Sequence, residues 1–170
     1  MINELFKKRR SIRKYDPSKI VSDDLIKQLL EAGMCAPSAC NTRPWEFIVI
    51  KNDELIHKIT EIHPYTQMIK TSQCAIIVVG LPNNQVNLPG ANMWPQDCAA
   101  ATENILLQAT EFNLGSCWCG IYPTDRVAKF QSLLDLPSHK IPFNVIAIGY
   151  TAEKFGSRGF YEESKVKWLK

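Results

Sequence analysis

Cys74-Ala75-Ile76-Ile77-Val78-Val79-Gly80 is apolar throughout and shows no alternation. A strand with one wet face alternates with a period of two. An unbroken β-branched run belongs to a strand covered on both sides. Phe143-Asn144-Val145-Ile146-Ala147-Ile148-Gly149-Tyr150 is expected to be the last core strand, and Phe47–Ile50 and Ser116–Tyr122 add two more. One sheet of four or five strands with helices over both faces, a three-layer protein, is the arrangement these runs require.

The segments between the strands carry helix signals. Ser22 precedes Asp23 and Asp24, which suit the positive end of a helix, and Leu25, Ile26, Leu29 and Leu30 form one stripe. Asn52 or Asp53 caps a second helix with Leu55, Ile56, Ile59 and Ile62 on one face. A long helix is predicted from about Pro95 to Asn113, with Gly115 placed to end it and the small run Ala99-Ala100-Ala101 open to close approach. Thr124 caps a fourth helix with Val127, Phe130, Leu133 and Leu134 inward. Leu81–Gly90, rich in Pro and Asn, is the candidate mobile lid.

The 170 residues fit one domain, 1–170. Hydrophobic residues at 45% and charged residues at 22% exclude a disordered chain. No apolar run reaches the roughly 18 residues of a membrane helix. The opening Met1-Ile2-Asn3-Glu4-Leu5-Phe6-Lys7-Lys8 turns charged too early for a secretory signal, so the cytoplasm is the expected location. The six cysteines, Cys35, Cys40, Cys74, Cys98, Cys117 and Cys119, are expected to be free thiols. Cys117-Trp118-Cys119 is not a CxxC pair, and with His57, His63 and His139 scattered no metal site is expected.

Net charge is +3, but Lys7, Lys8, Arg9, Arg10, Arg13 and Lys14 are clustered, with Lys165, Lys167 and Lys170 forming a second group. No zinc finger, helix-turn-helix spacing or aromatic–basic interleaving supports nucleic-acid binding, and none is expected. In an extended Arg9-Arg10-Ser11-Ile12-Arg13-Lys14-Tyr15, Arg9, Ser11 and Arg13 fall on one side and suit a phosphate; the other reading is a solvated basic surface. Ala36-Pro37-Ser38-Ala39-Cys40-Asn41-Thr42-Arg43-Pro44-Trp45-Glu46-Phe47 is stiffened by two prolines and offers polar groups beside Trp45. It suits a flat heteroaromatic ligand, or else is a plain helix-to-strand turn. No Walker loop, G-x-G-x-x-G, G-x-S-x-G or His-Glu-x-x-His is present. Without a protein-only catalytic set, an enzyme here would draw its reactivity from a bound cofactor.

Together the two segments resemble the flavin motifs of the nitroreductase family of FMN-dependent oxidoreductases, in order and spacing. Glu103-Asn104-Ile105-Leu106-Leu107 and Leu114-Gly115-Ser116-Cys117-Trp118-Cys119-Gly120 are similar to its central helix and the strand behind the flavin. The resemblance implies an α+β fold, three-layer α-β-α with a mixed four- to five-stranded sheet, and a homodimer with FMN at the subunit interface. Residues 151–170, carrying Phe155, Phe160, Tyr161 and Trp168, would wrap the partner.

By motif position, Arg9, Arg10, Ser11 and Arg13 would bind phosphate and ribityl oxygens, joined by Arg158. Pro37, Ser38, Ala39 and Asn41 would reach the flavin from the other subunit. Trp118, Cys119 and Gly120 would face the ring, with an N–H of Cys119 or Gly120 near its N5 atom. Gln67 or Lys70 stand in for the family's contacts to the pyrimidine edge. The implied activity is two-electron transfer from NADH or NADPH through FMN to a nitroaromatic, quinone or free flavin, with no catalytic side chain assigned. The cysteines of these segments are read as filling space beside the ring. Reductive dehalogenation or desaturation on the same site, and a non-enzymatic flavin-binding module, are the alternatives.

Overall fold

The computed structural model describes residues 2–85, 87, 92–154, 156, 159 and 161–170. Its elements, in chain order, are α1 (Glu4–Lys8), α2 (Asp23–Met34), β1 (Trp45–Ile50), α3 (Asp53–Ile62), α4 (Ile69–Ser72), β2 (Ala75–Gly80), α5 (Trp94–Glu111), β3 (Leu114–Gly120), α6 (Arg126–Leu133) and β4 (Ile141–Tyr150). The strands form one sheet in the order β1-β2-β4-β3. The central pair is β2, expected from its unbroken apolar run to be covered on both sides, and β4, the expected last core strand; every residue of β2 is buried.

Alternation sorts their side chains into two cores. Ile76, Val78, Ile146 and Ile148 meet α2 and α5 on one face. Ala75, Ile77, Val79, Val145 and Ala147 meet α3, α4 and α6 on the other. The three layers are therefore as expected. The sheet has four strands, and it is antiparallel at every pairing rather than mixed. The reason lies in the connections. Between β1 and β2, and between β3 and β4, the chain leaves through a helix and returns to the end it left, so Ile50 pairs with Ala75 and Gly120 with Asn144. Among the described residues the one parallel contact is an isolated bridge between Ser11 and Ser116.

The predicted caps hold at Ser22 and Asn52, whose side chains accept from the Leu25 and Leu55 N–H groups. The cap predicted at Thr124 falls one residue early: Asp125 is the N-cap of α6, without a side-chain cap bond, and Thr124 Oγ1 accepts from Arg126 N at 3.2 Å. Gly115 does not end α5. Asn113 takes the left-handed turn there, with φ of 56°, and Gly115 lies inside β3. Its constraint is close approach: a Cβ would stand 2.8 Å from Ile12 Cγ2. Gly115→Ala is therefore expected to cost about 1–3 kcal/mol by overpacking, a drop of roughly 2–10 °C in melting temperature for a chain this long. An unchanged melting curve would contradict that packing.

The Leu81–Gly90 segment is anchored in its first half, not a free lid. Pro82–Gln85 form a 3-10 turn, and Gln85 is 1% exposed. Residues 86 and 88–90 lie outside the described residues, as do Phe155, Arg158 and Phe160. Tyr161 and Trp168 are exposed. Among the described residues no helix is long and apolar enough to cross a membrane, and no three metal-ligating side chains cluster.

Candidate functional site

The first basic segment is pinned by its apolar members. Ile12 and Tyr15 are buried, Ile12 N donates to Ser116 O at 2.9 Å, and the Tyr15 hydroxyl donates to Ile12 O at 2.8 Å. These bonds lay residues 11–13 along the outer edge of β3, with Ser11 and Arg13 exposed. Residues 4–8 are helical behind an Asn3 cap, and Arg9 caps that helix with its own backbone already extended, at φ −57° and ψ 125°. Arg9 Nε lies 3.3 Å from Glu103 Oε1 of α5. Arg10 donates to Gly156 O at 3.1 Å.

Arg13 lines an open pocket of about 620 Å³ between β3 and the α3–α4 connection. That volume is in the range of small-ligand sites, roughly 300–1,000 Å³. Trp118, Cys119 and Gly120 line it too, together with His63, Tyr65, Gln67, Met68, Cys117 and Arg126. Lys70 is not in the lining. Among the described residues the lining carries two guanidinium groups and no carboxylate. At Gly120 a Cβ would meet nothing within 4 Å, so this glycine keeps space open at the pocket. An apolar, cationic cradle with a bare backbone at its floor fits a flat ring bearing an anionic tail, which is the chemistry of FMN.

His63 was not singled out by sequence, where it is one of three scattered histidines. Its Nε2 lies 2.8 Å from Gly120 O. A carbonyl only accepts, so Nε2 carries the proton. Burial, with help from the Arg126 charge, holds the imidazole below its ordinary value and favours this neutral form. His63 thus fixes the end of β3.

Cys117 and Cys119 are buried and, two apart on one strand, face the same side. Cys119 Sγ is 3.2 Å from Tyr65 O. The Cys119 thiol, followed by Arg13 and the Ser11 hydroxyl, stabilises the Cys117 thiolate against burial and holds that thiol below its ordinary range, while Cys119 is pushed up. The pair is expected to lose its first proton at lower pH than a free cysteine. Because the Cys119 contact is the largest support, Cys119→Ala should move that ionisation upward in a thiolate-absorbance titration of the flavin-free protein. A titration unmoved by the substitution would refute the coupling.

The second segment lies elsewhere. Ala39, Cys40 and Asn41 form a 3-10 turn; Cys40, Asn41 and Arg43 have φ of 49°, 56° and 48°. Three left-handed non-glycine residues persist only where the surroundings over-determine them. Here Ala39 N donates to both Asp97 carboxylate oxygens at 3.2 Å, and Arg43 N to Ser38 Oγ at 2.9 Å. Gln85 Nε2 donates to Asp97 Oδ2 at 2.6 Å and to Thr42 Oγ1 at 3.0 Å. The loop's stiffness thus comes from a buried carboxylate on α5 as well as from its prolines, and neither Asp97 nor Gln85 was evident from sequence. Pro37, Ser38, Ala39 and Asn41 sit next to β1, at the sheet edge opposite β3. The edges are three strand spacings apart, about 14 Å. None of the four lines the Arg13 pocket.

The nitroreductase family matches residues 6–75 and 64–150. A Methanothermobacter thermautotrophicus protein, provisionally named an NADH dehydrogenase/NAD(P)H nitroreductase, is 45% identical over 169 residues, covering 97% of this chain and 86% of its own. A Parabacteroides distasonis structure given the same provisional name superposes with a TM-score of 0.90 at 35% identity, covering 97% of this chain and 95% of its own. An FMN-dependent nitroreductase from Clostridium difficile superposes at 0.87 with 28% identity, covering 98% of each chain. Matched along nearly its whole length by family, sequence and fold, the chain belongs to the nitroreductase family.

Proposed function

We propose that the protein carries two electrons from NADH or NADPH, through FMN, to an electron-poor acceptor such as a nitroaromatic, a quinone or a free flavin. The observation that carries this reading is the pocket along β3, whose lining combines Arg13 and Arg126 with Met68, Cys117 and the bare Gly120, and among the described residues holds no carboxylate. FMN, when bound, supplies the hydride-accepting and hydride-donating chemistry. The chain's residues do the holding. Arg13, with Arg9, Arg10 and Ser11, would grip phosphate and ribityl oxygens by charge-assisted bonds, and Arg158 would join them. Backbone N–H groups of Cys119 or Gly120, fixed through His63, would favour negative charge on the ring. No side chain is assigned as a general acid. One pocket must serve donor and acceptor in turn, which gives ping-pong kinetics.

The site would be completed by a second copy of the chain. Pro37, Ser38, Ala39 and Asn41 stand across the sheet from Arg13 and would enter the pocket of the partner. The exposed Tyr161 and Trp168 would give residues 151–170 an apolar surface to lay on that partner.

The test is anaerobic. NADH or NADPH, added separately, should bleach the flavin absorbance of the FMN-loaded protein, and an acceptor panel should restore it. A yellow protein that neither donor bleaches would be a flavin-binding module instead.

A further inference from the structure

Arg126 is the cation of the pocket that the phosphate clamp leaves unused. It opens α6, just beyond the end of β3, whereas Arg13 sits beside Ser11 at the strand's flank. Their charges reach different neighbours: Arg13 acts on Cys117 and Cys119, and Arg126 on His63. The two cations thus mark separate parts of one pocket. Among the described residues no carboxylate lies within ion-pairing distance of Arg126. The adjacent Asp125 faces Lys129 instead, at 3.8 Å. Among the described residues the guanidinium makes one side-chain hydrogen bond, Nη1 to Thr124 Oγ1 at 3.5 Å, and it is long. A half-buried guanidinium with no anion of its own, lining a ligand pocket, keeps its forked donors available.

FMN carries one strongly anionic group, its phosphate, and the clamp around Arg13 accounts for it. We infer that Arg126 recognises an oxyanion on the second substrate, so that the preferred acceptors are planar, electron-poor aromatics bearing a carboxylate. This rests on the flavin reading above. The same forked chemistry would also suit a phosphate of the nicotinamide donor, and the experiment separates the two sources.

FMN-loaded wild type, Arg126→Gln and Arg126→Lys are titrated with benzoate and with benzamide, following the perturbation of the flavin absorbance, which needs no turnover. KM is then compared for 4-nitrobenzoate against 4-nitrobenzamide, and for NADH against NADPH. Wild type should bind the carboxylate about ten-fold or more tighter than the amide, as a charge-assisted bond warrants. Arg126→Gln should reduce that ratio to about two-fold or less, and Arg126→Lys should restore part of it because the charge returns without the fork. A carboxylate-to-amide ratio that Arg126→Gln leaves intact overturns the inference. So does a ratio left intact while KM for the donors rises, which would assign Arg126 to the donor's phosphates. Failure of the flavin reading itself would look different: the wild-type protein would take up no FMN.

Discussion

Asp97→Ala is expected to lower the melting temperature by roughly 10 °C and to weaken FMN binding with it. Asp97 is 7% exposed and is the acceptor for Ala39 N and for the buried Gln85 side chain. Alanine would strand both donors, at about 1–3 kcal/mol for each buried group left without a partner. For a chain of this length each kcal/mol is worth about 2–4 °C. The loop that loses its anchor holds Cys40, Asn41 and Arg43 in left-handed conformations, which need such support from their surroundings. Asp97→Asn keeps one acceptor oxygen and should lose less. Thermal melts with and without FMN check both effects; an Asp97→Ala curve that overlays wild type in both conditions would show that the carboxylate does not hold the loop.

Arg13→Ala should act in the opposite sense, on the cofactor and not on the fold. The guanidinium is on an exposed residue whose one side-chain bond among the described residues, to Ser11 O at 3.4 Å, is long. Its removal should leave the flavin-free melting temperature within a degree or two. A charge-assisted hydrogen bond to phosphate is worth about 1.5–3 kcal/mol, which corresponds to FMN affinity falling roughly ten- to one-hundred-fold. Flavin content after purification and a fluorescence-quenching titration measure this. Undiminished FMN stoichiometry and affinity would remove Arg13 from the clamp.

The contrast between these two residues shows what was legible in the sequence. Arg13 stands out in the sequence because its neighbours repeat its chemistry within five positions. Asp97 does not, because its meaning depends on Ala39 and Gln85, and no periodicity reports a partner fifty-eight residues away. The same holds for His63, whose bond to Gly120 joins α3's end to β3. The core strands were readable from unbroken β-branched runs, and the caps at Ser22 and Asn52 from local chemistry. Strand direction was not, because it depends on where a connection returns, and composition is silent about that. Gly115 shows a subtler failure. A glycine after a helix suggests a terminator, yet here Asn113 makes the turn and Gly115 admits Ile12.

Equilibrium dialysis of flavin-free protein against FMN, read together with light-scattering mass, tests the shared site most directly. A dimer that saturates at two FMN is expected, with FMN and dimerisation stabilising each other. A monomer that binds FMN just as tightly, or a protein that takes up none, would contradict it.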